Sequence, residues 1–483
     1  MPVADAIPLP PATVPAAATF PETDLLRRYD RPGPRYTSYP TALEFDPRFG
    51  EADYRAAAAR CNAGAGRDPL SLYVHIPFCA SPCFFCGCTK VITRQMPLAE
   101  TYLERLYREI ERQSMLFPRS RVVEQLHLGG GTPTFLSAGQ LADLMGHLGR
   151  HFALSSTPER EFSIEIDPRT VTTRTLSQLP DIGFNRVSLG VQDFDPAVQA
   201  AVNRVQPAAQ TMQLIDAAKR GDFKSISVDL IYGLPLQTEA SFERTLDLLL
   251  AARPDRIAAY SYAHLPQRFK PQRRIRTDQL PSPEEKLALL QLTVRRLTGA
   301  GYVYIGMDHF ALPGDELVKA AERGDLQRNF QGYSTHGDTD LIGFGMSAIG
   351  RIGESYAQNA RSLTDYCAAI DADGLAIRRG LRLSAEDLLR RDVIAALMCR
   401  GQLRFSDVEA RHAIDFAAHF SREVAALQTL AADGLVTLEA DRIQVTAAGR
   451  YLLRAVAMVF DAYLSQPAAP AAVSAPPRYS RVV

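Results

Sequence analysis

Four cysteines fall within one short run, Tyr73-Val-His-Ile-Pro-Phe-Cys-Ala-Ser-Pro-Cys-Phe-Phe-Cys-Gly-Cys88. Cys79, Cys83 and Cys86 form a C-x3-C-x2-C pattern directly after an apolar segment that reads as a strand. This spacing places three thiolates on one tight loop. A [4Fe–4S] cube has four irons, so three protein thiolates leave one iron open to another ligand. Such a cluster suits chemistry at iron rather than simple electron relay. The competing reading is structural zinc, with Cys88 as the fourth ligand of a closed tetrahedron. Zinc ligands usually come as two C-x2-C pairs far apart in sequence, whereas here all four cysteines crowd one loop. A disulfide framework does not suit a long chain with seven cysteines, an odd count. Cys61, Cys367 and Cys399 are scattered and read as ordinary buried thiols.

Downstream, Leu126-His-Leu-Gly-Gly-Gly-Thr-Pro-Thr134 is an apolar strand running into three glycines. Gly129, Gly130 and Gly131 have no side chains, so backbone can come close to a ligand there. A cysteine loop ending one strand and Gly-Gly-Gly-Thr-Pro ending the next resemble the radical S-adenosylmethionine (SAM) superfamily. Six further runs sharpen the likeness: Arg31-Pro-Gly-Pro-Arg-Tyr-Thr-Ser-Tyr-Pro40, Ser163-Ile-Glu-Ile-Asp-Pro168, Gly190-Val-Gln-Asp-Phe194, Val228-Asp-Leu-Ile-Tyr-Gly-Leu-Pro235, Tyr262-Ala-His-Leu-Pro266 and Arg328-Asn-Phe-Gln-Gly-Tyr333. Together they resemble the oxygen-independent coproporphyrinogen III oxidase family, over residues 24–465. The first of these runs, Cys88 and the Arg328 run set it apart from shorter haem-chaperone relatives.

The resemblance implies a [4Fe–4S] cluster held by Cys79, Cys83 and Cys86, and two SAM molecules. It places Gly130 on one SAM, and Gly131 and Thr132 on a second. Glu165, ending its strand, suits bidentate hydrogen bonding to ribose hydroxyls. Gln192, Arg204 and Asp229 match the second SAM site, where the Arg204 fork suits a carboxylate. Phe85 is expected against adenine, with Tyr73 and Ile349 packing the first SAM and Ala263 carried over alongside them. By themselves the last four would read as core. No catalytic side chain is assigned, although Cys88 is a candidate, expected near the cluster but not bound to it.

These residues need a scaffold. Strands are expected over 71–76, 124–128, 162–166, 186–190, 225–231 and 256–262, and helices over 99–116, 137–151, 208–220, 238–251 and 284–300. Such alternation argues for an α/β fold with a parallel sheet and helical crossovers, and each motif sits at a strand's carboxyl end, where function gathers in such folds. The resemblance implies a partial (βα)6 TIM-like radical SAM barrel. Residues 303–307 are a further edge-strand candidate. The expected divisions are a disordered Ala/Pro-rich N-terminus (1–23), a substrate-flap segment (24–55), the barrel (56–374), a smaller, mainly α-helical C-terminal domain (375–465) and a disordered tail (466–483). In the C-terminal domain, helices are expected over 384–399, 406–411 and 416–432, then a hairpin (435–438 and 443–446) and another helix.

Formal net charge is zero, which gives no electrostatic case for nucleic acid or membrane. No apolar run approaches a transmembrane span, and the N-terminus carries no positive charge of a secretory signal. Unpaired clustered cysteines fit a reducing cytoplasm. The implied substrate is coproporphyrinogen III, whose ring A and B propionates become vinyl groups. The implied partners are a low-potential flavodoxin- or ferredoxin-like electron donor and no second subunit, the chain being a monomer. Candidate cations for the substrate carboxylates are Arg31, Arg35, Arg268, Lys270, Arg273, Arg274 and Arg276. Alternatives are a radical SAM haem chaperone, a radical SAM methyltransferase or cyclopropane-forming enzyme, and a zinc-stabilised winged-helix regulator.

Overall fold

The computed structural model describes residues 20–63, 68–337, 339–464 and 479–482. The expected disorder of 1–23 and 466–483 therefore falls mostly outside the described residues. The chain forms two compact units. One comprises Ala42–Thr293 and Asp338–Ser384. The other gathers the described residues before Ala42, Val294–Gly337 and those after Ser384.

All six expected strands form in the first unit: β1 (Leu70–Ile76), β2 (Val122–Gly130), β3 (Glu161–Ile166), β4 (Arg186–Gln192), β5 (Ser225–Tyr232) and β6 (Arg256–Ser261). They are parallel, in the order β6-β5-β4-β3-β2-β1. A further parallel strand, β7 (Asp340–Phe344), pairs with the free side of β1 and is buried along its length. Antiparallel β8 (Ile349–Ile352), β9 (Ser355–Asn359) and β10 (Ile377–Arg382) complete the sheet beyond β7. β1 is covered on both faces, as a parallel strand under helices must be.

The crossover helices form where period-3.6 patterning places them. Met96–Ser114 buries Ala99, Tyr102, Leu103, Leu106, Glu109, Ile110 and Gln113 on one stripe. Ala138–His151 starts at a capping box in which Ser137 and Gln140 exchange hydrogen bonds, and Thr238 caps Glu239–Ala252. A further helix, Thr173–Ile182, carries Pro180 in its interior and breaks the pattern by which helices are read.

The contiguous boundaries expected from sequence are corrected in three places. Residues 377–382 form β10, bonded to β9, so the first unit runs on to Ser384. Val294–Gly337 belongs to the second unit, where Val303–Gly306 pairs antiparallel with His309–Ala311. Residues 479–482, expected to be disordered, pair with the N-terminal segment: Val482 N–H donates to Arg31 O (2.9 Å) and Gly33 N–H to Ser480 O (2.9 Å). Buried Arg454 explains the pairing, because its guanidinium donates to the carbonyls of Pro34 (2.9 Å), Arg481 (2.7 Å) and Gly33. The run 31–40 is non-helical, as its prolines require. After Ser384 come the expected helices, Ala385–Arg400 and Phe405–His412, but the third is split at Phe420 into Phe416–His419 and Ser421–Ala432. The expected hairpin gains a third strand, Gln402–Arg404.

Candidate active site

The cysteine loop is held at several points within the first unit. Phe78–Cys79 pairs with Val91–Ile92. Phe84 N–H donates to Val202 O (2.9 Å), and Asn203 Nδ2 donates to Pro82 O (2.7 Å). Gln272 Nε2 donates to the carbonyls of Phe85 (2.8 Å) and Ala263 (3.1 Å), which ties two predicted SAM-contact residues together.

Around the thiols stand hydrogen-bond donors. Arg204 and Arg169 each place a guanidinium nitrogen 3.4 Å from Cys83 Sγ. Both guanidinium groups also bond Asp167 Oδ2, at 3.1 and 2.7 Å. Thr132 Oγ1 lies 3.6 Å from Cys79 Sγ. Cys86 is pushed down to about 5, chiefly by a hydrogen bond from the Cys88 thiol, with Lys90 assisting. The Cys88 thiol is driven up by that same bond. Burial raises Cys79 to about 11.

The three glycines are each explained by a protein neighbour. A Cβ on Gly129 would stand 3.0 Å from the Glu165 carboxylate, on Gly130 2.7 Å from the His75 ring, and on Gly131 2.5 Å from Pro77 O. Gly130 also has φ +114°, a conformation that favours glycine. Gly131 N–H donates to Ile76 O (2.8 Å), which seats the glycine run against the end of β1 and the start of the cysteine loop.

Below this rim, the sheet's inner face is polar. Tyr73 of β1, His127 of β2 and Ser163 of β3 lie side by side in register. The Tyr73 and His127 rings stack at 5.9 Å, and Tyr73 Oη bonds His75 Nδ1 at 3.0 Å. Burial lowers the His75 pKa and favours the neutral ring, so Nε2–H donates to Thr89 O (2.9 Å) and Nδ1 accepts from Tyr73. His127 bonds Ser163 Oγ (2.6 Å) and Glu165 Oε1 (3.1 Å), while Gly130 N–H donates to Glu165 Oε2 (3.3 Å). Ser188 Oγ donates to Asp229 Oδ2 (3.2 Å). Burial, with Glu165 facing it, pushes the Asp229 carboxyl up to about 7.

Most of the predicted residues thus meet. Tyr73, Gly130, Glu165 and Asp229 line the inner face, and Thr132 and Arg204 stand at the cysteines. Gln192 ends β4 at φ +69°, a strained value for a residue with a side chain, and strain of this kind gathers at functional sites. Ile349 opens β8 beside Gly343, the register partner of Tyr73. The predicted role of Arg204 is partly taken: besides Asp167 it donates to Gly190 O (2.6 Å), and its buried Nε has no partner among the described residues. Arg268, Lys270, Arg273, Arg274 and Arg276 are all exposed, with Arg276 paired to Asp278 at 2.7 Å. In the second unit, Arg35 pairs with Asp308. His75, His127, Asp167 and Arg169 were missed. Their signal was polar residues alternating along otherwise buried strands, and a charged pair directly after β3.

A family profile for the Radical SAM superfamily matches residues 73–249, and one for the HemN C-terminal domain matches residues 383–452. With the parallel strands and the cysteine loop, the first of these defines a radical SAM protein. The oxygen-independent coproporphyrinogen III oxidase of Pseudomonas aeruginosa is 53% identical over 443 residues, 92% of this chain and 96% of the relative. Those of Escherichia coli (strain K12) and Synechocystis are 48% and 43% identical, each over 92% of this chain and covering 96% and 97% of the relatives. A solved structure of Escherichia coli coproporphyrinogen III oxidase, described as a radical SAM enzyme, matches with a TM-score of 0.88 at 46% identity, covering 92% of this chain and 100% of that one. The chain belongs to the oxygen-independent coproporphyrinogen III oxidase family. Its parallel sheet and crossover helices are the α/β core of a radical SAM domain, and the superfamily brings a [4Fe–4S] cluster and SAM.

The residues present fit these groups. Cysteines ringed by N–H donors suit an anionic cluster. Among the described residues no set of three or more His, Cys, Asp or Glu side chains converges on one metal-ion position. A cubane does not require such convergence, because its thiolates sit on separate irons. No helix among the described residues is long and apolar enough to cross a membrane.

Proposed function

We propose that the chain converts coproporphyrinogen III to protoporphyrinogen IX without molecular oxygen, by oxidative decarboxylation of the ring A and ring B propionates to vinyl groups. The observation that carries this reading is 53% identity spread over 92% of the chain with a relative of that name. When bound, the cluster and SAM supply a 5′-deoxyadenosyl radical by one-electron cleavage of the sulfonium. A propionate β-carbon gives up hydrogen to that radical, and the substrate then loses carbon dioxide and passes one electron to an acceptor. Two decarboxylations need two such cleavages, which makes a second SAM chemically sensible.

The chain's residues divide the work. Cys79, Cys83 and Cys86 would hold the cluster as thiolates, with Cys88 left unbound. Gly130 and Glu165 hold one nucleoside, with Tyr73 and Ile349 packing it, Phe85 on the adenine and Ala263 among the cofactor contacts. Gly131, Thr132, Gln192, Arg204 and Asp229 hold the second, and the Arg204 Nε–H is a spare donor for its carboxylate. The exposed cations after β6 are candidates for the substrate carboxylates, and residues 31–40 serve as a flap that senses substrate. The chain works as a monomer in a reducing cytoplasm, supplied by a flavodoxin- or ferredoxin-like donor.

The test is anaerobic incubation with reductant, SAM and coproporphyrinogen III. Fluorescence of the oxidised porphyrins should show protoporphyrin, with 5′-deoxyadenosine released. A chain that binds haem but leaves the porphyrinogen unchanged overturns the reading. Deleting residues 31–40 should abolish decarboxylation while iron and sulfide stay as in wild type, and full turnover by the shortened enzyme would refute the flap. Cys88→Ser should keep the iron content of wild type, because the pattern needs three ligands.

A further inference from the structure

We propose that His127 is a positioning residue for Glu165, and that the pair reads the vicinal diol of the nucleoside bound in this barrel. The inference rests on the proposal that the site holds SAM with Glu165 on its ribose hydroxyls, and goes beyond it by adding the residue that fixes that carboxylate.

Three contacts fix the His127 ring. Its face stacks on Tyr73 with the planes 14° apart. One nitrogen lies 2.6 Å from Ser163 Oγ and the other 3.1 Å from Glu165 Oε1. The Glu165 pKa is lowered, so Glu165 is a carboxylate, which only accepts. His127 Nε2 therefore carries the hydrogen that meets it. Nδ1, on the other side of the ring, bonds the Ser163 hydroxyl. Ser163 and Glu165 both project from β3 on the same face, two residues apart, so one strand supplies both ends of the relay.

The consequence lies in the lone pairs. A carboxylate has about four acceptor sites, two on each oxygen. His127 takes one on Oε1, and Gly130 N–H takes one on Oε2. One site on each oxygen remains, and the Glu165 side chain keeps 45% of its surface open. Two acceptors at the spacing of one carboxylate match two adjacent hydroxyls. Without His127 the carboxylate can rotate, and the two free sites no longer face one way. A core histidine of merely structural importance would affect folding and binding of every ligand alike, whereas a positioning residue affects the diol alone.

The experiment uses full-length, anaerobically purified protein carrying its cluster. Equilibrium dialysis measures the affinity for SAM and for its 3′-deoxy analogue, which lacks one hydroxyl of the diol. His127→Phe, which keeps the ring and removes both hydrogen bonds, should weaken SAM about tenfold and leave the analogue within about twofold of wild type. Iron and acid-labile sulfide should not change. His127→Gln, which keeps an N–H donor, should recover most of the loss. Equal weakening of both ligands, or none of either, overturns the proposal. If His127→Phe loses its cluster, His127→Asn carries the same comparison with the same two outcomes. Failure of the underlying SAM reading looks different: wild type itself then binds neither ligand.

Discussion

Two glutamates of the first unit show how one side chain can serve structure or chemistry. Glu109 lies on the buried stripe of Met96–Ser114 and is 0% exposed. Its Oε2 accepts from Gly345 N–H (2.7 Å) and Tyr366 Oη (2.8 Å), and its Oε1 from Asn359 Nδ2 (2.7 Å) and Gln113 Nε2 (3.1 Å). Every donor is neutral, and together they use the acceptor capacity of the carboxylate. Burial raises its pKa. Glu165 meets His127 and Gly130 only, keeps open acceptor sites, and is held below the ordinary range by the His127 hydrogen bond and the Gly130 N–H, against the cost of enclosure. A saturated carboxylate ties the helix to the strands and turns around Gly345, Asn359 and Tyr366, while an unsaturated one is left to bind a ligand.

The sharpest way to break this comparison is to swap each carboxylate for an amide. Glu165→Gln should weaken SAM by about a hundredfold, because one of the two remaining acceptors becomes a donor. Its unfolding free energy should fall by less than about 1 kcal/mol, the worth of the one donor, His127 or Gly130, that its amide nitrogen turns away. Glu109→Gln should do the reverse, costing about 2–3 kcal/mol of stability by setting an N–H₂ group against donors, with SAM affinity unchanged. Dialysis and denaturant unfolding of both variants decide the matter. If each variant loses both properties, the division between them is wrong.

Acidity gives a second, smaller separation. Glu109 has a raised folded pKa, so its contribution is fully present below the unfolded value near 4.5 and is lost as pH rises through the folded one. Glu165 has a lowered folded pKa, so its contribution is present above the unfolded value near 4.5 and is lost as pH falls through the folded one. The stability difference between wild type and Glu109→Gln should therefore shrink as pH rises from about 4 to 8. Wild type against Glu165→Gln should instead lose its difference toward the acid end. Denaturant midpoints from about pH 2.5 to 8 measure both slopes, and slopes of the same sign contradict the assignment.

How much of this the sequence revealed depends on whether the signal was local. The cysteine loop, the glycine run and six strands are continuous patterns, and each was legible within a few residues of its observed bounds. β7 was not. Its five residues, Asp-Leu-Ile-Gly-Phe, are too short and too interrupted to announce a strand, and what makes them one is β1 beside them. The clasp between residues 31–33 and 480–482 is likewise set by distant partners around Arg454. Of the site, resemblance supplied the residues expected to touch ligand, but not those that hold them. His127 and Asp167 act on other side chains, and a period-2 pattern shows only that they face inward. Glu109 had a signal that went unused: a carboxylate at helical spacing with Leu106, Ile110 and Gln113 must be buried, and a buried carboxylate must be met by donors.

The finest test of the comparison removes one donor rather than a carboxylate. Tyr366 is fully buried, and its hydroxyl serves Glu109 Oε2, which Gly345 N–H also reaches. Tyr366→Phe keeps the ring that packs on Tyr102 at 5.3 Å and deletes only the hydroxyl. Glu109 then has three donors instead of four, and none of those left is charged. The expected cost is about 1.5 kcal/mol, the low end for a hydrogen bond to a charged group, read as a shift of the denaturant midpoint at constant slope. SAM affinity should not move. A loss of ligand with no loss of stability would mean that Glu109 also reports to the site and that saturation does not mark a purely structural carboxylate.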